Sequence, residues 1–321
     1  MKIAIIGAGL CGLAVASALL DSQDVKIDLF DEKGIGGGAS GVSCGLVHPY
    51  PGEEGKRSLM AMEALSLTRA LLDRIPGSTV GLEGVVRVGR DEEETQRLRV
   101  AFSRCEDIEE SSGSFLIKSG RTVNMPRYLE GLFRMSQERG AALHVKRVEN
   151  LEELKEYDQI VIAAGAGIKL FSECEPLKVQ LIKGQLLTCH YDTSVINLQR
   201  SLIGKGYIGL GEGEGRCMLG ATYERGYTSS LPDLEVAKQE ILTRVGSFFP
   251  QVSLFEIDGC RAGIRVARKG HYLPIIRKLK ERVWVCTAMG SRGLLYHAFA
   301  GKMLAKAILA DSESEIYPQF L

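Results

Sequence analysis

The chain has 321 residues, long enough for a large buried core and about two domains. Apolar residues make up 45% of the chain and charged residues 25%, proportions that are ordinary for a soluble globular protein. Because 40 basic side chains balance 40 acidic ones, the molecule as a whole has no electrostatic attraction for nucleic acid. Any basic surface must therefore be local.

The eight cysteines are scattered and form no C-x-x-C motif. This spacing is typical of a reduced cytosolic chain, and it argues against a disulfide framework or a zinc site, so we expect no metal. The N-terminus runs directly into the first predicted strand, which leaves no room for a signal peptide. No apolar run reaches the roughly 20 residues that a membrane span requires. We therefore expect a cytoplasmic protein without a membrane span.

The N-terminal stretch carries the strongest pattern. A short buried strand is predicted at residues 2–6, followed by a glycine motif, a helix over 13–20, a strand over 25–30 and an acid. This order is the dinucleotide-binding fingerprint, in which glycines allow a pyrophosphate to approach the N-terminus of a helix. A glycine-rich surface turn is the alternative, but the acid stands about 20 residues beyond the last glycine, as the fingerprint requires. The predicted cofactor contacts here are Gly7, Gly9, Leu10, Cys11, Gly12, Asp31 and Glu32.

Residues 34–41 are rich in glycine and lead into the apolar residues 45–47. A flexible linker is the alternative, but so many glycines between ordered elements favour backbone packed against a flat ligand. The run Gly-Ala-Ser-Gly resembles the second phosphate-contacting loop of flavoproteins in the D-amino-acid oxidase superfamily, which implies FAD. A nicotinamide dehydrogenase, the competing interpretation, would usually turn to a second crossover helix at this point. The resemblance adds cofactor contacts at Gly38, Ala39, Ser40, Gly41, Cys44 and Gly45.

The middle of the chain mixes helices with short strands. A helix is predicted over 57–75, then strand-like pieces at 85–88 and 115–118 with an acidic helix between them, without βαβ rhythm. A helix with Pro126 near its first position ends before Gly140, a strand follows at 143–148, and another strand over 158–167 closes on glycines. The second of these strands resembles the second flavoprotein signature beneath FAD. Val148, at the end of the first strand, and Ala164 and Gly165, in the second, are further predicted cofactor contacts.

The C-terminal part is predicted to hold strands at 181–187, 201–210, 217–223 and 260–268, with a helix over 234–248. A last buried strand at 283–288 ends in a glycine-rich turn, and a helix over 294–309 follows. The chain thus returns to the first domain at its end.

Nearly the whole chain resembles one family, the FAD-dependent amine oxidoreductases that include glycine oxidase and D-amino-acid oxidase. Within it, the chain is most similar to the FAD domain of the bifunctional enzymes of tRNA 5-methylaminomethyl-2-thiouridine biosynthesis, which carry a methyltransferase domain ahead of that domain. A chain that begins at the FAD fold must find its substrate without that domain in cis. The resemblance rests on Gly-Ala-Ser-Gly, Lys183-Gly184-Gln185, the run 220–226, Ala262-Gly263-Ile264-Arg265, Leu273-Pro274 and Gly290-Ser291-Arg292-Gly293-Leu294.

The fold class that follows is α/β, with a Rossmann-type FAD-binding domain and a second, mixed-sheet substrate domain. We expect a discontinuous FAD-binding domain from residues 1–80, 126–172 and 283–321. Residues 81–125 and 173–282 would form the substrate domain.

The chemistry implied is hydride transfer from a C–H bond beside an amine nitrogen to the flavin. Arg265, inside an apolar strand, is placed to bind a substrate carboxylate through a two-pronged pair, unless it points to solvent. Resemblance to glycine oxidase puts Arg265 and Arg292 at carboxylate-binding and near-flavin positions; a surface turn is the alternative for Arg292. Tyr223 either lines the substrate face or packs in the core. The flavin contacts predicted beside Arg292 are Gly290, Gly293 and Leu294.

Two further groups of residues have plainer interpretations. His48, His271 and His297 have no spacing that suggests a metal or a triad. The basic residues between 261 and 282 could follow a phosphate backbone, but they also have the composition of a hairpin surface, which we prefer. They are Arg261, Arg265, Arg268, Lys269, Arg277, Lys278, Lys280 and Arg282.

The leading function is FAD-dependent oxidation of a carboxylate-bearing amine. The resemblance to the bifunctional tRNA-modifying enzymes implies the carboxymethylaminomethyl group of wobble uridine as its substrate. The runner-up is an oxidase or dehydrogenase of free glycine or D-amino acids. A flavin-binding protein without turnover is the third interpretation. The expected partners are a small amine or amino-acid substrate, or tRNA; the sequence leaves the oligomeric state open.

Overall fold

The computed structural model describes residues 1–22, 24–52 and 54–321. In these residues the strands are β1 (Lys2–Ile6), β2 (Lys26–Asp31), β3 (Leu46–Val47), β4 (Thr79–Val80), β5 (Val85–Val88), β6 (Ile108–Ser111), β7 (Ser114–Ile117), β8 (Arg121–Val123), β9 (Ala142–Val145), β10 (Gln159–Ile162), β11 (Gln180–His190), β12 (Leu202–Ile203), β13 (Tyr207–Leu210), β14 (Arg216–Gly220), β15 (Glu256–Ala267), β16 (Ile275–Lys280) and β17 (Val283–Thr287). The α-helices are α1 (Leu10–Leu19), α2 (Ala39–Val42), α3 (Ala61–Asp73), α4 (Glu92–Phe102), α5 (Met125–Gln137), α6 (Leu234–Gly246) and α7 (Gly293–Ala310).

The first sheet has the strand order β16-β17-β10-β1-β2-β9. Its neighbouring strands run parallel, except that β16 pairs antiparallel with β17. Along β1, Ile3 and Ile5 pack in the cluster that contains α1 and α7, whereas Ala4 and Ile6 belong to a cluster on the opposite face. Burial on both faces explains why β1 is a continuous apolar run.

The second sheet has the order β15-β11-β14-β13-β12-β5-β7-β6. Its neighbours pair antiparallel, apart from the parallel pair β12 and β5. Helix α6 packs on this sheet through Ala237, Ile241 and Val245. A small third sheet, β3-β8-β4, completes the described strands.

The predicted α/β fold with a Rossmann-type sheet is confirmed, and several boundaries differ from the sequence-based expectation. Helix α1 begins at Leu10 because the glycine motif itself forms its first turn. The strand predicted at 143–148 ends at Val145, so Val148 lies beyond it. Strand β16 falls in the range 173–282 assigned to the substrate domain, yet it pairs with β17 in the first sheet. The division into two domains otherwise stays a prediction. Among the residues described, no helix is both long and apolar enough to cross a membrane.

Helices α1 and α7 cross at very close range. A Cβ atom on Gly301 would lie 2.7 Å from the carbonyl oxygen of Ala14, closer than real side chains approach. The crossing therefore holds α1, which carries the glycine motif at its N-terminus, against the C-terminal helix.

A buried hydrogen bond also joins α5 to α7. The Tyr128 hydroxyl lies 2.7 Å from His297 Nε2, and His297 Nδ1 lies 3.0 Å from the Leu294 carbonyl oxygen. Burial lowers the pKa of His297 to about 4, so the imidazole is neutral at neutral pH. A neutral ring with Nδ1 donating to the carbonyl can accept the tyrosine proton at Nε2, which gives His297 a structural role.

We expect Gly301→Ala to lower the free energy of unfolding by about 1–3 kcal/mol, because the added methyl group overpacks the helix crossing. Gly246→Ala in α6 is the matched control, since its Cβ would lie 3.7 Å from the Val252 side chain, an ordinary van der Waals contact. Alanine also favours a helix over glycine by about 1 kcal/mol. Urea unfolding followed by circular dichroism measures both variants. A Gly301→Ala midpoint at or above that of the control would contradict this packing argument.

Candidate FAD and substrate site

The carboxyl ends of β1, β2, β10 and β17 lie along one edge of the first sheet, because these strands run parallel. The glycine motif follows β1 at this edge, Asp31 ends β2, and Ala164 and Gly165 follow β10. Ligands of open α/β sheets bind outside this edge. The structure therefore brings together predicted cofactor contacts that are far apart in the sequence.

The turn after β1 leaves room only for glycine. Gly7 has φ +113°, in the region that favours glycine, and a Cβ there would overlap the carbonyl group of Ala163. A Cβ on Gly12 would overlap the carbonyl oxygen of Gly7. The backbones of β1, β10 and α1 are thus in direct contact, with no side chain between them. As a result, the N-terminus of α1, with its N–H groups, is held at the sheet edge.

The second glycine-rich segment packs against the first. Ser40 Oγ accepts a hydrogen bond from the backbone N–H of Leu10 at 3.0 Å, and the Gly36 N–H donates to the Ala8 carbonyl at 2.9 Å. A Cβ on Gly9 would lie 2.9 Å from Ser40 Oγ. We call residues 7–12 and 36–41 together the phosphate cradle.

The acid at the end of β2 is bound to the cradle. Asp31 Oδ2 accepts from the Ala8 N–H at 2.9 Å, and Oδ1 accepts from the Lys33 N–H at 2.9 Å. Each carboxylate oxygen has a further lone pair, so the predicted contacts with ribose hydroxyl groups stay open. Glu32 instead lies near two cations, with Lys33 at 3.8 Å and Arg147 at 3.6 Å.

Three other predicted cofactor contacts pack against neighbours outside the cradle. The Cys11 thiol forms a hydrogen bond with the buried thiol of Cys286, so only its backbone is free to meet a ligand. Val148 is buried in an apolar cluster with Phe30. Gly45 has φ +77°, and a Cβ there would overlap the Val123 carbonyl.

Arg265 lies on β15 opposite Ile182 of β11, and its guanidinium group covers Gly184. A Cβ on Gly184 would lie 2.9 Å from Arg265 Nε and would overlap the rest of the guanidinium. The side chain is half-buried and forms no hydrogen bond or ion pair with any described residue. Arg265 therefore does not point freely to solvent, and its donors remain available.

Two side chains lie beside Arg265: Cys44, predicted as a cofactor contact, and Tyr207, which the sequence did not single out. Burial raises the pKa of the Cys44 thiol, and the positive charge of Arg265 partly offsets this shift. Burial likewise raises the pKa of Tyr207, whose hydroxyl hydrogen-bonds Cys44 and whose ring lies over Gly220. Tyr207 was missed because its pairing with Gly220 across β13 and β14 is a matter of sheet register. No local sequence pattern shows that register.

Arg292 lies at the N-cap of α7. Its Nη1 donates to Ser58 Oγ at 2.8 Å, and its guanidinium carbon lies 4.3 Å from the centre of the Tyr272 ring. Its Nε is buried and has no hydrogen-bond partner among the described residues. Burial lowers the pKa of this guanidinium. Arg292 is thus a partly desolvated cation rather than part of an open surface turn.

His48 lies close enough to Arg292 to respond to its charge. Burial lowers the pKa of His48 to about 4, and the charges of Arg87 and Arg292 act in the same direction. Its Nδ1 is buried without a hydrogen-bond partner among the residues described. His48 is therefore a neutral imidazole beside the Arg292 end of the site.

Tyr223 is 44% exposed, and the Arg225 guanidinium lies 5.4 Å from its ring centre. It forms no hydrogen bond or ring contact with Arg265 or Arg292 in the described residues, so its place at the substrate face stays a prediction. Its neighbours explain the exposure, because Thr222 and Glu224 both turn inward. There Glu224 bonds Thr222 Oγ1 at 2.6 Å and Gln185 Nε2 at 2.9 Å, and lies 3.6 Å from Lys183 Nζ.

The residues at this edge fit a flavin dinucleotide. The cradle consists of glycines whose missing side chains leave backbone N–H groups accessible, beside a carboxylate at the end of β2. The second sheet reaches the cradle directly, since Arg261 Nη2 donates to the Gly41 carbonyl at 2.8 Å and a Cβ on Gly263 would lie 3.0 Å from Ala39 Cα. Arg265, four residues further along the same strand than Arg261, is thereby held near the cradle.

The curated relatives that this chain matches are MnmC proteins. The bifunctional protein MnmC of tRNA 5-methylaminomethyl-2-thiouridine biosynthesis from Maricaulis maris (strain MCS10) is 26% identical over 324 residues, which cover 96% of this chain and 52% of that protein. The chain thus spans about half the length of the curated relatives it matches.

Solved structures share the fold. Glycine oxidase from Geobacillus kaustophilus superposes with a TM-score of 0.79 at 20% identity, covering 98% of this chain and 96% of that one. Iminodiacetate oxidase from Chelativorans sp. BNC1 gives 0.75 at 18% identity, covering 99% and 98%. The profile of the family described as FAD dependent oxidoreductase matches residues 2–307. The chain therefore belongs to the D-amino-acid oxidase family of FAD-dependent oxidoreductases, as its motifs indicated.

Proposed function

We propose that this protein oxidises an amine that carries a carboxylate group, with FAD as its cofactor. The observation that carries the proposal is Arg265, a half-buried guanidinium with no partner among the described residues, on the strand that contacts the phosphate cradle. A desolvated cation without a partner is costly, and a bidentate carboxylate is the ligand that best satisfies its planar donors.

The cradle would hold the FAD phosphates, Asp31 the ribose, and the N–H groups at the start of α7 the pyrimidine edge of the ring. When bound, FAD supplies a hydride acceptor for the C–H bond beside the amine nitrogen. The protein's own contribution is orientation. Arg265 fixes the carboxylate end of the substrate, and Tyr207 and Cys44 form the wall beside it.

The two arginines also set the protonation of the substrate. Only a neutral amine has the lone pair that assists hydride loss, and nearby positive charge lowers the pKa of a bound amine. Arg265 and the partly desolvated Arg292 both carry such charge, and the neutral His48 adds none. The site therefore favours the reactive form of the substrate without a dedicated base.

Within this class we favour a carboxymethylamine. The curated relatives are MnmC proteins of tRNA 5-methylaminomethyl-2-thiouridine biosynthesis, and iminodiacetate, named for one structural relative, is a secondary amine with two carboxymethyl groups. The carboxymethylaminomethyl group of wobble uridine, the substrate predicted from the sequence, is also a carboxymethylamine. Oxidation of free glycine or a D-amino acid is the second candidate, because glycine oxidase shares the fold.

The basic residues near the end of the second sheet support an RNA substrate less than their spacing suggested. Arg268 donates to the carbonyl groups of Gln319 and Leu321, Lys278 pairs with Asp311 at 2.6 Å, and Lys280 pairs with Glu173 at 2.7 Å. Of the eight residues, two lie on β15 of one sheet and three on β16 of the other, and the remaining three lie outside both strands. We therefore do not include them in the proposed RNA contacts.

The purified protein should be yellow and should release FAD into the supernatant on acid precipitation. We expect Gly12→Val to abolish flavin binding, because the new side chain would overlap the Gly7 carbonyl. Absorption spectra and circular dichroism separate loss of flavin from loss of fold. Colour retained in the pellet would exclude a non-covalent cofactor, and a folded wild-type protein that takes up no FAD would refute the proposed function.

Arg265→Ala should raise the apparent KM for iminodiacetate or glycine roughly 30- to 100-fold, the equivalent of about 2–3 kcal/mol for a lost charged hydrogen-bonded pair. Flavin content should not change. Arg277→Ala, an exposed arginine on the edge strand β16, is the matched control and should behave as wild type. For an amine without a carboxylate, such as ethylmethylamine, the apparent KM should be the same in wild type and both variants. A normal KM in Arg265→Ala would remove this residue from the site.

Anaerobic addition of the amine tests turnover itself. We expect the visible flavin absorbance to fall as the substrate reduces the cofactor. For a carboxymethylamine, water would then hydrolyse the oxidised C=N bond to give glyoxylate and the free amine. A flavin that keeps its colour with iminodiacetate, glycine and D-amino acids, as well as with tRNA that carries the carboxymethylaminomethyl group, would favour a binding protein without turnover.

A further inference from the structure

A cleft of about 860 Å³ has Tyr50 and residues 55–62 on one side and the region where α4 and β7 end on the other. Its lining includes Tyr50 and Met62 together with the cations Lys56, Arg57, Arg104 and Lys118. Two acids, Glu106 and Asp107, belong to the same lining. The cleft thus has an excess of positive charge in a chain whose overall charge is balanced.

Three of the four cations of this cleft have free donors. Arg57, Arg104 and Lys118 form no side-chain hydrogen bond or ion pair with any residue that the structure describes. Only Lys56 has an ionic partner, Glu54 at 2.7 Å, and both of these side chains are exposed. Of the acids, Asp107 is already engaged by Ser119, whose backbone N–H donates to it at 2.9 Å. The donors of Arg57, Arg104 and Lys118 are therefore available to a ligand.

The cleft adjoins the proposed active site through one short segment. Ser58, within the segment that lines the cleft, accepts the hydrogen bond from Arg292. The next residue, Leu59, accepts a hydrogen bond of 2.7 Å from the Tyr296 hydroxyl of α7. His48, at the Arg292 end of the site, precedes Tyr50 of the cleft by two residues. A ligand lying in the cleft would therefore approach the Arg292 end of the site.

We propose that this cleft binds the phosphate backbone of an RNA strand whose attached amine enters the active site. The inference rests on the proposed amine oxidation and specifies how its substrate is held. The free cations belong to three separate segments of the chain, the loop before α3, the turn after α4 and the end of β7, which suits successive phosphates better than one. Guanidinium and ammonium groups that neutralise phosphates release counterions, so such binding weakens as salt increases.

The experiment compares wild type with the triple variant Arg57→Ala/Arg104→Ala/Lys118→Ala. The matched control is Arg277→Ala/Lys302→Ala/Lys306→Ala, which removes three exposed cations from other surfaces. The probe is a fluorescein-labelled single-stranded oligouridylate, and fluorescence anisotropy gives its affinity across a range of KCl concentrations. Each lost phosphate contact changes the log–log salt slope by about 0.7, so the cleft variant should become shallower by about 2. The control should keep the wild-type slope.

The outcomes separate this inference from the proposed function. A single charge reversal, Arg104→Glu, should weaken RNA binding more than Arg104→Ala, and circular dichroism shows that either variant is folded. An unchanged slope in the triple variant, an equal loss in the control, or no binding of RNA by wild type at low salt would each overturn the proposal. Inorganic phosphate that binds in the cleft of a protein with no affinity for RNA would also overturn it, in favour of a small phosphorylated ligand. Oxidation of iminodiacetate by wild type, measured separately, shows whether the amine chemistry stands.

Discussion

Three backbone segments meet at Gly7 more closely than any side chain would permit. The end of β1, the residue after β10 and the first turn of α1 are in contact there because Gly7 and Gly12 carry no Cβ. This contact aims the N-terminus of α1 at the sheet edge, where its N–H groups carry partial positive charge. The remaining features of the cradle are built on it: Ser40 bonds the first residue of α1, and Asp31 bonds the turn itself. An atom added at either glycine would displace the whole arrangement.

The substrate half of the site depends instead on partly buried positive charge that has unpaired donors. Strand β15 packs so closely on α2 that Gly263 has little room for a side chain, and the same strand carries Arg265 past the cradle. Burying Arg265 and Arg292 in part, with donors left unpaired, costs stability in the free protein. Under the proposed function, a substrate carboxylate would recover that cost when it binds. The protein would then trade stability for affinity at this edge, as many functional sites do.

The sequence predicted those features that depend on neighbouring residues. The strand β1, the glycine motif and the acid at the end of β2 follow from local periodicity and turn chemistry, and family motifs added Ser40 and Arg292. Features that depend on sheet register could not be predicted. Tyr207 meets Gly220 only because β13 and β14 pair as they do.

Basic residues that lie close together in the sequence likewise need not lie close together in the fold. Those basic residues of 261–282 that lie on strands divide between two sheets, whereas Arg57, Arg104 and Lys118, far apart in the sequence, line one cleft. Tyr223 illustrates the same limit, because the inward turn of both its neighbours leaves its ring exposed. Side-chain direction in such a segment changes with every residue, and no composition argument fixes it.

The strand order of the first sheet bears on how the chain is made. Strand β10 stands between β1, from the start of the chain, and β17, from near its end, and α1 packs on α7. On the ribosome, helix α1 emerges about 280 residues before α7, the helix that covers it. Until α7 emerges, the nascent chain carries an apolar helix face without its partner, a situation in which chaperones commonly act. The proposed cofactor site can form only after translation has delivered α7.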